Sequence, residues 1–93
     1  MSESPKYERA PGLESHEADD GLVIFDPAVD KIHHINSSAG VFFELCDGTR
    51  DAERIAEVAT GVFGPDELPE GAVAQALEML VREGIVRQVD GDS

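Results

Sequence analysis

Lys31-Ile32-His33-His34-Ile35-Asn36-Ser37-Ser38-Ala39-Gly40-Val41-Phe42-Phe43-Glu44-Leu45-Cys46-Asp47-Gly48 decides the fold of this 93-residue chain. The first five residues read as a short strand that carries two isoleucines and two histidines. Asn36 and Ser37 follow, both residue types whose side-chain oxygens accept from the free amides of a helix's first turn. Ala39, Phe42, Phe43 and Cys46, with Val41 and Leu45 beside them, then fall at the three-and-four spacing of one helix face. Asp47-Gly48 predicts the stop, since glycine supplies the left-handed backbone that a helix end commonly needs.

Upstream of this stretch the chain reads as extended. Residues 1–11 hold little to bury and predict a flexible tail, and Pro11-Gly12 marks a turn. Leu13 to Ala18 is a weakly signalled strand. Leu22-Val23-Ile24-Phe25 is a clear one, rich in branched and aromatic residues and bounded by Gly21 and Asp26-Pro27. The short links force antiparallel pairing, so a three-stranded meander is expected.

Downstream the pattern is helical. Asp51 predicts the cap of a second helix whose stripe is Ala52, Ile55, Ala56, Val58, Ala59, Val62 and Phe63, ended by Gly64-Pro65. A linker follows in which Leu68 can tuck back onto the core. A third helix runs from Glu70 or Gly71 to Glu83, with Val73, Ala76, Leu77, Leu80 and Val81 on one face. Ile85-Val86-Arg87 reads as a short extended piece without an evident partner, and residues 89–93 as an acidic tail. The expected fold is α+β: a three-stranded antiparallel sheet followed by three helices, with a helix-turn-helix character. Residues 12–88 form its single domain.

The composition excludes several classes of function. With 20 acidic against 7 basic residues the net charge is −13, a field that repels phosphate backbones and anionic membrane surfaces. A recognition helix offering only Gln75 and Arg82 argues further against DNA. No apolar run reaches the roughly 18 residues of a membrane span, and the N-terminus lacks the apolar segment of a signal peptide, so a cytoplasmic location is expected. The lone Cys46 sits on an apolar helix face and reads as a small buried hydrophobe.

His33, His34, His16 and Cys46 invite a metal reading, but neighbours on a strand point to opposite faces, and no ligand spacing of a zinc site occurs. No nucleophile motif, phosphate loop or apolar pocket for a carboxylate pair is legible, so neither a catalytic residue nor a cofactor is assigned. A carrier protein would need a D-S-L motif at a helix start, where this chain has Asn36-Ser37-Ser38-Ala39. A peptide-binding module fits better, because a meander leaves an edge strand able to capture an extended peptide. On Lys31–Ile35, Ile32 and His34 would face one side, and His33 and Ile35 the other.

The run H-H-I-N-S-S-A-G-V-F-F-E-L-C-D-G-T-R-D-A-E-R-I-A, followed by Val73, Leu77, Leu80, Gly84 and Ile85 in a V-x-x-x-L-x-x-L-x-x-x-G-I pattern, resembles the PqqD family. These are small recognition domains for ribosomally made, post-translationally modified peptides. The likeness covers residues 13 to 87, with Ile35 and Ser38 in place of the family's usual Leu and Thr and Asp51-Ala52 in place of Thr-Val. It implies a winged-helix-like domain in which a precursor's leader segment adds as a strand beside Lys31–Ile35, in a cleft against the third helix. The site residues implied are Lys31, Ile32, His33, His34, Ile35, Val73, Ala76, Leu77, Met79 and Leu80. Leu77 and Leu80 are the better candidates for the core and Ala76 and Met79 for the rim, although spacing alone leaves their facing open.

The resemblance also implies a non-catalytic partner of a modifying enzyme, often a radical SAM protein. A monomer or weak homodimer is expected. The alternative readings are a carrier or enzyme-docking accessory subunit, and behind it a winged-helix DNA-binding protein. If Lys31, Arg82 and Arg87 line the cleft, an acidic leader is favoured.

Overall fold

A computed structural model describes residues 5–64, 66–69 and 71–89. Asn36 is the pivot between its extended and helical parts. The Asn36 side chain ends the strand Lys31–Asn36 (β4) by accepting from the Ala39 amide at 2.8 Å, which starts the helix Ser37–Leu45 (α1). Upstream, Glu14–Ala18 (β2) and Gly21–Asp26 (β3) precede β4, and the three pair antiparallel in the order β2-β3-β4. This is the expected meander. Its tightest point is Gly21, where a Cβ would collide with the Ile35 carbonyl oxygen, so only glycine lets β3 lie that close to β4.

The helical part also follows the sequence. The helix Ala52–Phe63 (α2) is capped by Asp51, whose Oδ1 accepts from the Arg54 amide at 2.9 Å. Ala72–Arg82 (α3) starts after Gly71, and the Gly84 and Ile85 amides close its far end on the Val81 and Leu80 carbonyls. Glu70, one of the two starts expected for α3, lies outside the described residues, as do residues 90–93 of the expected acidic tail.

Three stretches differ from the sequence reading. Lys6–Arg9, expected within the flexible tail, is a strand (β1); Asp47–Asp51, expected as a turn and a cap, is another (β5); and Val86–Val89 (β6) is not unpaired. They form a second antiparallel sheet in the order β5-β1-β6, with β1 at its centre. Tyr7 is the single large apolar residue of β1, so hydrophobic pattern gives no signal for it. Backbone pairing with partners some 40 and 80 positions away holds it instead. Asp47-Gly48 does not end α1 directly. Cys46 is its C-cap, and Gly48, at φ +87°, lies within β5.

The two arginines nearest that helix end have a structural task. Arg9 and Arg50 donate to the Glu44 and Leu45 carbonyls at 2.9 and 3.0 Å, satisfying groups at the negative end of the α1 dipole. The core lies where the helices meet the inner face of the meander and the strand end at Ile85-Val86. It comprises Ile24, Ile35, Ala39, Phe42, Phe43, Cys46, Ile55, Ala59, Leu77, Leu80, Ile85 and Val86. Each large side chain among them contributes about 1.5–3 kcal/mol by leaving water. The Phe42 and Phe63 rings pack with centroids 5.9 Å apart, and Leu68 rests against the cluster as the linker reading expects.

Candidate functional site

In the order β2-β3-β4, the strand β4 hydrogen-bonds to β3 on one side, and among the described residues it has no strand partner on the other. Its open edge borders a cleft of about 390 Å³ lined by Lys31 to Asn36, Ala39, Met79 and Glu83. The far wall therefore comes from α3 and the residue that follows it. A strand edge with unpaired amides and carbonyls beside a helix wall is a geometry that can accept an extended chain.

The alternation expected along β4 is present. Ile32 and His34 are exposed, while His33 and Ile35 are each only 6% exposed. The His33 ring sits between β4 and the end of α3, with Nδ1 at 3.3 Å from Glu83 Oε1, so an Nδ1–H donates to the carboxylate. A carboxylate at a helix C-terminus faces the negative end of the dipole, and the histidine partner offsets that cost. His34 is turned to the opposite face, where Nε2 stands 3.2 Å from Asp20 Oδ1. The two histidines thus serve different surfaces.

Of the residues expected in the site, Lys31, Ile32, His33, His34, Ile35 and Met79 line the cleft. Leu77 and Leu80 are 2% and 0% exposed and belong to the core, and Val73 packs partly buried against it. Ala76 borders an adjoining groove of about 330 Å³ between α1, α2 and α3, which also takes in Phe63, Leu68 and Gln75 and shares Asn36, Ala39 and Met79 with the cleft. The sequence reading did not include Asn36, Ala39 and Glu83. Asn36 and Ala39 could have been found from the helix cap that they form. Glu83 lies 50 positions from His33 and carries no local signal.

The charge expectation changes as well. Lys31 lines the cleft, but Arg82 borders a separate groove beside Tyr7, Glu78 and Gln88, and Arg87 donates to Glu8 at 2.7 Å within the second sheet. Of the three basic residues only Lys31 stays at the cleft, opposite the acidic Glu83, so Arg82 and Arg87 lend no support to an acidic leader.

Among the described residues, no cluster of three or more His, Cys, Asp or Glu could hold a metal ion. Burial pushes the Cys46 thiol up to about 12, and its Sγ donates to the Phe42 carbonyl. A thiol held in that state is a packing group and not a nucleophile. Among the described residues no helix is long and apolar enough to cross a membrane.

A family model described as Coenzyme PQQ synthesis protein D (PqqD) matches residues 21–86. Among solved structures, TbiB1 in complex with the TbiA(beta) leader peptide matches with a TM-score of 0.67 at 13% identity, covering 86% of this chain and 94% of that chain. At that identity the likeness establishes a shared fold. No curated protein matches by sequence. The segment matched by the family model opens at Gly21, so β1 and β2 precede it.

Proposed function

The chain belongs to the PqqD family, and from that membership we propose that it is a non-catalytic module that captures the leader segment of a ribosomally synthesised precursor peptide and presents it to a modifying enzyme. The observation that carries the reading is the open edge of β4 facing a cleft walled by α3. A leader lying along Lys31–Asn36 would complete the backbone hydrogen bonds of that edge and become the fourth strand of the meander. Main-chain pairing of this kind supplies affinity, and alternate side-chain pockets supply selectivity. Met79 and Ala39 offer the apolar contacts, and the adjoining groove at Phe63, Leu68 and Ala76 extends them. The solved TbiB1 structure, which contains a leader peptide, supports this reading through its fold.

Isothermal titration calorimetry with the two halves of the precursor tests the proposal. The leader half binds with one-to-one stoichiometry and the core half does not. Binding of the core half alone, or of neither half, contradicts it.

A further inference from the structure

The register of the meander gives it a second face, turned away from the helices. His16, Val23 and His34 lie opposite one another in one row, and Glu14, Phe25 and Ile32 in the next. Residues in register across antiparallel strands share a face, as do residues two apart along a strand. The inward rows hold Ile24, His33 and Ile35, which are buried under the helices. Val23, Phe25 and Ile32 therefore point away from the core.

A solvated sheet face normally carries polar residues at such positions. Here the centre is apolar, with Ile32 67% exposed and Val29, in the adjoining turn, 64% exposed. Exposed apolar surface with a polar rim marks a site of protein association. The rim is mostly acidic: Glu14 on the face itself, Asp19 and the His34-paired Asp20 in one turn, and Asp26 and Asp30 at the other, where Lys31 opposite Asp26 is the one basic residue among them. A second copy of this chain would set the same rim against it, with a net charge of −13 on each partner. Charge complementarity requires instead a partner with a basic rim.

Resting on the leader-binding reading, we infer that this outer face docks the modifying enzyme, through an enzyme surface that is apolar at its centre and rimmed by Lys and Arg. A leader strand added at β4 prolongs the same face. Every second leader side chain would stand beside Ile32 and His34, so the enzyme meets the carrier face and the leader together.

The test uses the full chain, its leader peptide and the purified enzyme that modifies the same precursor. Val29→Lys and His16→Lys change exposed positions outside the peptide cleft, Val23→Thr removes apolar surface, and Val62→Lys on α2 serves as the control. The first three weaken enzyme affinity about tenfold or more, with leader affinity and thermal unfolding unchanged, while Val62→Lys alters neither affinity. Intact leader binding with undiminished enzyme affinity in all variants overturns the docking face alone. Absence of leader binding by the unaltered chain overturns the leader reading, and this inference with it. A dimer in sedimentation that Val29→Lys dissolves would assign the face to self-association and overturn the inference.

Discussion

His33 on β4 and Glu83 just beyond α3 meet across the cleft, Nδ1 to Oε1 at 3.3 Å, with the histidine side chain 4% exposed. This contact pins the end of α3 to the strand whose edge the leader would use. It sets the width of the cleft with two side chains 50 positions apart.

His33→Ala removes a buried ring and its polar contact, and should cost about 2 kcal/mol of stability. Glu83→Gln retains an acceptor at the same place and should cost under about 1 kcal/mol. Urea unfolding of both variants checks the order. Equal losses would mean that the contact does not couple the strand to the helix.

Gly21→Ala should destabilise by roughly 3 kcal/mol or more, because the added Cβ meets the Ile35 carbonyl oxygen and a backbone atom cannot swing aside. The variant should also shift β4 and reduce leader affinity. Denaturation midpoints and calorimetry read the two effects separately.

Cys46 predicts a dependence on pH. Its folded pKa of about 12 lies above the ordinary thiol value of 9.0, so the unfolded chain loses the thiol proton first. The thiol's contribution to stability is therefore fully present below about pH 9 and is lost progressively as pH rises toward 12. Cys46→Ala should flatten the decline in that window. A thiol reagent at pH 8 should label the unfolded chain and leave the folded one unlabelled.

Tyr7→Pro places a residue without an amide hydrogen in the central strand of the second sheet, and should cost about 3 kcal/mol or more. Thermal unfolding measures it. A negligible change would mean that β1 does not hold β5 and β6 together.

The meander and the three helices were legible because each carries its own apolar period or cap: the Leu22–Phe25 run, the Asn36 and Asp51 caps, the α2 stripe. The second sheet was not. The sequence of β1 is Lys-Tyr-Glu-Arg, and its pairing with β5 and β6 is a matter of backbone hydrogen bonds between distant segments. Within the site, the edge strand and Met79 were legible from the family likeness. Glu83 was not, because a contact across the cleft leaves no mark on local spacing. The basic residues misled for a similar reason, since the far partner of Arg87 is Glu8 on a strand that the sequence did not disclose.

The central claim is that the leader pairs with the edge of β4. Amide NMR of the full chain during titration with the leader peptide tests it most directly. The account predicts that shift changes and new protection from hydrogen exchange concentrate on Lys31–Asn36, with smaller changes at Met79 and Glu83. Changes that leave Lys31–Asn36 untouched and gather instead on β2 or on the second sheet would contradict it.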